Sequence, residues 1–306
     1  MVSILAQMGL LIACGVGWRI ISPAGLDADL ARRVLTALVF NLLMPALILS
    51  VLWKQAVGLE TLRVSAFGLA TIGLGLALTW MLARSLRLDD GRLGASLLAI
   101  AFPNVTYFGL PLLEQVFGPW SRLIVIQIDL FAATPAVLLL GPLIGRRYGS
   151  HHGGRVPWWS ILNNPPIWAA VLGVLFNQVG TGLPRWLDQA LERLAVAVVP
   201  TMLIALGLGL SLHSWRWRNL PWAALTVAAR LLALPGLAMG LARILGFHGD
   251  TFAALVLEAG MPSMLLGVVY CDRYRLDTSF YAMAVALTTL GAAFTLPFWQ
   301  TAAAAS

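Results

Sequence analysis

The chain has 306 residues, of which 59% are hydrophobic and only 11% are charged. Its mean hydropathy of +0.85 lies far outside the range of a soluble domain, so the composition predicts an integral membrane protein. The formal net charge of +7 is distributed over the connections between apolar segments, and this pattern argues against a nucleic-acid partner.

Runs of about 20 mostly apolar residues recur along the whole chain, and about 20 residues cross the hydrocarbon core as a helix. The sequence therefore predicts an all-α membrane protein with ten transmembrane helices joined by short connections. The predicted spans are residues 2–21, 34–53, 64–83, 93–117, 123–145, 158–179, 194–212, 221–245, 251–271 and 279–299.

Lysine and arginine are distributed unequally between the two sides that the ten spans define. One side carries Arg19, Arg32, Arg33, Arg84, Arg87, Arg92, Arg146, Arg147, Arg155, Arg216, Arg218, Arg273 and Arg275. The other side carries Lys54, Arg63, Arg122, Arg185, Arg193 and Arg243. Because cytoplasmic loops carry the basic excess, the first side is predicted to be cytoplasmic, and both termini are predicted to lie outside.

The ten spans divide into two halves of five, and an odd number per half inverts the second half relative to the first. Pro45 in FNLLMPALIL parallels Pro200 in AVAVVPTMLI, and Pro103 in AIAFPNV parallels Pro262 in LEAGMPSM, at nearly equal separations along the chain. Such weak internal symmetry is typical of inverted repeats in secondary transporters. We expect a first repeat over 1–145, a cytoplasmic linker over 146–157 and a second repeat over 158–306.

The linker sequence RRYGSHHGGRVP contains two adjacent histidines, His151 and His152. A metal site is one interpretation, but no further ligands accompany the pair, so a flexible linker is favoured and no metal is expected.

Pro103 and Pro262 each interrupt an apolar span near its middle. A proline there removes a backbone donor and leaves helix ends that only protein or a polar cavity can satisfy. We expect the fourth and ninth helices to be broken and to cross at the membrane midplane, with helices beginning directly after both prolines. Two helix starts would then direct free N–H groups and partial positive charge at an anion such as a carboxylate. Asn104 and Ser263 would either cap these helices or bind the ligand.

Three ionisable side chains, Asp129, Arg230 and Glu258, fall within predicted spans. Each costs roughly 2.5–3.5 kcal/mol near the bilayer centre, so each should face protein or a cavity and have a partner. Glu258 lies one helical turn before Pro262, where it could bind Na⁺ or exchange a proton as a coupling group; Asp129 is a second candidate for that role. The alternative is a static ion pair of either carboxylate with Arg230, which we interpret as structural.

Three further polar residues lie near the prolines. Asn41 and Thr201 would either line the cavity or bond a backbone carbonyl that the neighbouring proline leaves free. Tyr107, which follows the first break, is expected to reach the binding site.

The segments that contain these residues resemble those of the auxin efflux carrier family. The resemblance is carried by PNVTYFGLPLL, NNPPIWAAVLGVL, VVPTMLIALGLGLSL and MPSMLLGVVYCDRY, in that order along the chain. It implies a fold related to the bile-acid sodium symporters, with a scaffold of helices 1, 2, 6 and 7 and a transport domain of helices 3–5 and 8–10. Known members export auxin in plants or move small carboxylates such as malonate in bacteria, and this compact chain resembles the bacterial kind.

The resemblance assigns the crossover to Pro103, Asn104 and Pro262, whereas Glu258 departs from the neutral amide usual in plant members. It implies a secondary transporter of a small organic anion in the bacterial inner membrane, moving by an elevator or rocking motion. The coupling ion, H⁺ or Na⁺, stays open, and no other cofactor is expected. The expected partners are the anion and the lipid bilayer, with a homodimer through the scaffold helices as an open option.

Other classes of function are weaker. A membrane-embedded enzyme is disfavoured because the sequence has no HExxH or GxSxG motif, and its four histidines fall in loops or at span ends. A channel or a ligand-binding sensor is a further alternative, but the near-symmetric breaks favour two equivalent access states. Within transport, the alternative is a sodium-coupled carrier of the bile-acid symporter type, in which Glu258 would bind the ion.

Overall fold

The computed structural model describes residues 2–54, 58–86, 88–150, 165–210 and 217–305. Within these ranges the regular structure is helical, and an isolated antiparallel bridge joins Pro103 to Ser263. The predicted all-α class is therefore confirmed. Part of the predicted linker, including His151 and His152, lies outside the described residues.

The first half of the chain forms eight α-helical segments. They are α1 (Val2–Ile21), α2 (Ala28–Leu38), α3 (Met44–Lys54), α4 (Leu59–Leu86), α5 (Asp90–Ala101), α6 (Leu110–Phe117), α7 (Ser121–Ile128) and α8 (Thr134–Tyr148). Aspartates begin two of them, because the Asp27 carboxylate accepts from the Leu30 N–H and the Asp89 carboxylate accepts from the Arg92 N–H.

The second half forms seven α-helical segments. They are α9 (Pro165–Val179), α10 (Arg185–Gly209), α11 (Leu220–Ala228), α12 (Leu234–Ile244), α13 (Gly249–Ala259), α14 (Gly267–Tyr274) and α15 (Thr278–Ala304). Short 3₁₀ turns cover Pro23–Gly25 and Trp217–Asn219.

Four π-helical turns accompany prolines in this fold. Val39–Leu43 joins α2 to α3, Asp129–Ala133 joins α7 to α8, Ala229–Ala233 joins α11 to α12, and Val105–Gly109 precedes α6. Each turn ends two residues before a proline, namely Pro45, Pro135, Pro235 and Pro111. A proline lacks the N–H and clashes with the carbonyl four residues back, and the wider π turn accommodates that defect without ending the helix.

Seven helices in the described ranges are long and apolar enough to cross a membrane. They are Ser3–Ile21, Ala28–Lys54, Leu59–Arg84, Ser121–Tyr148, Arg185–Gly209, Trp217–Ile244 and Thr278–Ala304. A shorter apolar helix covers Pro165–Val179; the predicted start of that span, 158–164, lies outside the described residues.

The predicted spans that contain Pro103 and Pro262 differ from the other segments because their helices are interrupted. Between α5 and the π turn that precedes α6, residues 102–104 are not helical, and between α13 and α14 residues 260–266 are not helical. The prediction that a helix begins directly after Pro262 is wrong: α14 begins only at Gly267, because the intervening backbone pairs with the other break.

The helices pack in two groups. In the first, α1 and α2 pack against α10, and α3 packs against both α9 and α10. In the second, α4–α8 and α11–α15 pack around the two breaks. The contact between α1 and α10 is made by glycine: a Cβ atom at Gly207 would lie 2.0 Å from the Ile12 carbonyl oxygen, so the two backbones touch.

Candidate functional site

The two helix breaks lie side by side and pair through their backbones. The Asn104 N–H donates to the Pro262 carbonyl at 2.8 Å, and the Met264 N–H donates to the Phe102 carbonyl at 3.0 Å. Each break thus supplies partners for backbone groups that a helix would otherwise have paired. This contact brings residues far apart in the sequence to one buried place.

Arg230 completes this pairing from a third helix. It lies on the π turn between α11 and α12 and is fully buried. Its Nε donates to the Met261 carbonyl at 2.8 Å, and its Nη1 donates to the Ile100 carbonyl at 3.0 Å. A planar guanidinium can reach two such acceptors at once. One arginine therefore joins the carbonyl-bearing helix ends of both breaks.

Ser263 takes part in the contact between the two breaks. Its hydroxyl donates to the Ala99 carbonyl at 2.7 Å, and its backbone N–H donates to the Thr288 hydroxyl oxygen at 3.1 Å. The hydroxyl donor is therefore used by the protein in this conformation, and Ser263 does not cap α14. The sequence analysis missed Thr288, a hydroxyl in the tenth predicted span that only the tertiary structure pairs with the break.

Asn104 precedes the π turn Val105–Gly109, and only 3% of its surface is exposed. The alternative that its side chain caps this helix is not observed, because no side-chain capping bond forms there. Within the described residues the Nδ2 group of Asn104 has no hydrogen-bond partner. A buried donor of this kind is costly unless a ligand or water satisfies it.

Glu258 lies in the last turn of α13 and is 1% exposed. Neither of its carboxylate oxygens has a hydrogen-bond partner in the part of the chain that the structure describes. The carboxylate packs against Gly109, where an added Cβ would lie 2.6 Å and 2.7 Å from its two oxygens. Glu258 therefore contacts the turn that follows Asn104, which links the two breaks through side chains as well as backbone.

Asp129 is held by two threonines. Its Oδ2 accepts from the Thr106 hydroxyl at 2.5 Å, and its Oδ1 accepts from the Thr134 hydroxyl at 3.0 Å. Because Thr106 lies in the π turn after the first break, Asp129 anchors that turn to the helix pair α7 and α8.

The alternative of a static ion pair with Arg230 is wrong for both carboxylates, since no such pair forms among the described residues. Arg230 bonds backbone carbonyls, as described above. Its location otherwise fits the structural role predicted for it.

The remaining predicted residues bond partners outside the backbone pairing of the two breaks. Tyr107 contacts Thr36 of α2, and thereby connects the first break to the other helix group. Asn41 is exposed and donates to the carbonyl of Ala37 at 2.8 Å, and Thr201 donates to the carbonyl of Ala197 at 2.7 Å. Each thus bonds the carbonyl four residues earlier in its own helix. Neither bonds the carbonyl that the neighbouring proline leaves free, which lies four residues before that proline.

Comparison with known proteins assigns the family. A family profile described as membrane transport protein matches residues 3–148 and 151–300. The chain belongs to this family, that of the auxin efflux carriers. It is therefore a membrane transporter, and its apolar helices make it a multi-pass protein; the resemblance inferred from the motifs is confirmed.

Relatives of this transporter come from archaea and plants. The chain is 31% identical to an uncharacterized transporter of Methanothermobacter thermautotrophicus over 90% of this chain and 88% of the relative. It is 26% identical to an uncharacterized transporter of Methanocaldococcus jannaschii over 87% of this chain and 88% of the relative. It is 23% identical to the probable auxin efflux carrier component 5b of Oryza sativa over 61% of this chain and 62% of the relative.

Proposed function

We propose that this transporter is a secondary carrier of a small organic anion, a carboxylate, which binds at the paired helix breaks. The observation that carries the proposal is the buried Asn104 amide, which has no protein partner among the described residues and precedes a helix start. The first N–H groups of a helix have no partner within it and favour negative charge. An amide donor beside such N–H groups is suited to bind a carboxylate.

The two breaks contribute unequally to this site. The helical turn after Pro103 begins at Val105, whereas the helix after Pro262 begins at Gly267. Most of the helix-terminal field would therefore come from the first break. Pro103 and Pro262 would hold the two chain segments in position, and Tyr107 would close the site toward α2.

Glu258 is the proposed coupling residue. A buried carboxylate without hydrogen-bond donors must be neutralised by a proton or a cation. H⁺ exchange and Na⁺ binding both meet that requirement, so a sodium-coupled carrier of the bile-acid symporter type is the alternative. Asp129 is a weaker candidate, because both of its oxygens accept hydrogen bonds from threonines.

We further propose ten membrane crossings arranged as two inverted five-helix repeats. Seven long helices, the shorter helix Pro165–Val179 and the two interrupted segments would supply them. The breaks would then meet near the bilayer midplane, with repeats over 1–145 and 158–306 and the linker 146–157 in the cytoplasm. Cysteines placed in that linker should react with thiol reagents only from the cytoplasmic side; labelling from outside would refute this topology.

The two helix groups suggest how the site would gain access to both sides. The group of α1, α2–α3, α9 and α10 would serve as a scaffold, and the remaining helices would carry the breaks past it in an elevator motion. A homodimer formed through the scaffold helices would keep the scaffold fixed in the inner membrane while the remaining helices move.

The test is a binding and uptake assay on the reconstituted full chain. Malonate and indole-3-acetate are added at two pH values, with and without Na⁺, and stabilisation against heat and uptake into liposomes are measured. Asn104→Ala should weaken carboxylate binding while leaving the thermal midpoint near wild type. The control is Asn177→Ala, because Asn177 on α9 bonds the Trp53 carbonyl away from the breaks.

Unchanged binding in Asn104→Ala would remove this residue from the site. Binding without uptake would favour a ligand-binding membrane sensor over a carrier.

A further inference from the structure

A cavity of about 770 Å³ lies where the two helix groups face each other. Its walls include Arg19 at the end of α1, Arg32 on α2 and Gly209 at the end of α10. On the opposite side they include Leu265, which lies within the second break, and Arg275, which follows α14. In the topology proposed above, this cavity opens to the cytoplasm.

The charges in the cavity are not balanced. The Arg19 guanidinium pairs with the Asp29 carboxylate at 2.7 Å, and Asp277, whose side chain caps α15, faces Arg92 at 3.5 Å. Arg32 and Arg275 form no ion pair with any described residue. One uncompensated guanidinium therefore comes from each helix group.

The backbone at Arg275 supports a role for its side chain. This residue ends α14 in the left-handed conformation, with φ 54° and ψ 46°. That conformation costs an L-residue roughly 1–2 kcal/mol relative to glycine, and the positive φ angles of Gly180 and Gly246 show glycine in comparable backbone positions elsewhere. An arginine at a position that suits glycine is explained if the guanidinium is needed in the cavity.

Arg32 connects the cavity to the proposed binding site. It precedes Thr36 by one helical turn on α2, so the two side chains share a face. Thr36 contacts Tyr107, which follows Asn104 by three residues. The Arg32 Nε is buried without a hydrogen-bond partner among the described residues. An anion held at Arg32 would thus lie on the route to the paired breaks.

We propose that Arg32 and Arg275 form a second anion site in this cavity, which captures a small carboxylate before it reaches Asn104. Guanidinium groups bind carboxylates through two parallel hydrogen bonds. A positive cleft also concentrates anions and raises their association rate. This inference rests on the proposed function, and it adds a capture step to it.

The test uses ¹⁴C-malonate and ³H-indole-3-acetate with the full chain in liposomes. Arg32→Gln and Arg275→Gly should each lower the association rate roughly tenfold at low ionic strength and weaken its salt dependence. Maximal uptake should stay at the wild-type value, so KM rises while kcat is unchanged. The control is Arg84→Gln, which removes a charge from the same proposed membrane side, outside this cavity, and should behave as wild type.

Arg275→Gly separates binding from stability. Glycine suits the left-handed backbone, so the thermal midpoint should be equal to or above that of wild type while anion capture falls. If both variants match Arg84→Gln while Asn104→Ala loses binding, the second site is refuted and the proposed function stands. If the wild type neither binds nor transports either probe, both proposals are refuted.

Discussion

Substitution of Arg230 tests whether one side chain holds the two helix breaks together. In Arg230→Met the side chain keeps much of its apolar length but loses both donors. The carbonyls of Met261 and Ile100, which now accept at 2.8 Å and 3.0 Å, would be left unpaired in the interior. Each unsatisfied buried group costs roughly 1–3 kcal/mol, so the loss should total about 2–6 kcal/mol before any effect of charge.

A charge effect adds to this loss, because the positive field of Arg230 acts on the buried Glu258 carboxylate. Removing the arginine takes away this compensation in any state in which the Glu258 carboxylate is ionised. Arg230→Met combined with Glu258→Gln should therefore recover the electrostatic part of the loss and leave the hydrogen-bond part. Arg230→Lys keeps the charge, but one ammonium cannot reproduce the planar fork that reaches both carbonyls, so its stability should be intermediate.

The assay is thermal unfolding of the purified protein in detergent, monitored by the monodisperse fraction in size-exclusion chromatography. Arg243→Gln provides the control, since Arg243 lies in the last turn of α12, away from the breaks. The expected order of midpoints is wild type and Arg243→Gln highest, Arg230→Lys lower and Arg230→Met lowest. A midpoint for Arg230→Met equal to that of the control would refute the structural role assigned to this residue.

Three further substitutions, two of them with a control variant, test the helix packing and the proposed coupling. Gly207→Ala should destabilise by roughly 1–3 kcal/mol or more, because its Cβ would lie 2.0 Å from a backbone oxygen that cannot move aside. Gly73→Ala, whose Cβ meets nothing within 4 Å, should instead stabilise α4 by up to about 1 kcal/mol, and equal midpoints would contradict the packing. Arg122→Gln breaks an ion pair between the two helix groups, which joins α7 to Glu192 of α10 at 3.1 Å. Because the groups should then separate more easily, cysteines placed beside the first break should react faster with an impermeant thiol reagent. Lys54→Gln should not increase labelling, since the Lys54 pair with Asp188 of α10 lies within one helix group; identical labelling in the two variants would show that the Arg122–Glu192 pair does not hold the two groups together. Glu258→Gln should abolish the dependence of anion uptake on the cation gradient, and a retained dependence would assign Glu258 to structure.

The helix breaks were predictable from sequence because proline acts locally. Pro103 and Pro262 each remove a donor in the middle of an apolar run, and no distant residue is needed to see that defect. The same reasoning does not distinguish these two prolines from Pro45, which lies in a continuous helix because a π turn precedes it. Whether a proline breaks or only widens a helix depends on whether the rest of the protein offers partners for the freed groups.

Those partners could not be predicted from the sequence. The Ser263 hydroxyl bonds Ala99, and the Ser263 N–H bonds Thr288 of α15. These pairings are fixed by how the helices pack, and a serine beside a proline is equally suited to cap a helix. For the same reason Arg230 could be predicted as buried but not as a donor to two carbonyls. The burial of Glu258 followed from its position, whereas its contact with Gly109 required the fold.

The contact between Glu258 and the turn after Asn104 has a consequence for coupling. An anion at the start of that turn and an ionised Glu258 would share one buried region, where two like charges 4 Å apart repel by about 4 kcal/mol at an effective dielectric constant near 20. A proton or Na⁺ on Glu258 removes that repulsion, so the cation and the anion should bind cooperatively and reciprocally. In the proposed elevator motion, cooperative binding of the cation and the anion at one site would favour transport of both in the same direction. The pairing of the breaks thus supplies a physical reason for the proposed carrier to be a symporter, because it places the proposed coupling residue Glu258 against the helix turn that would bind the substrate.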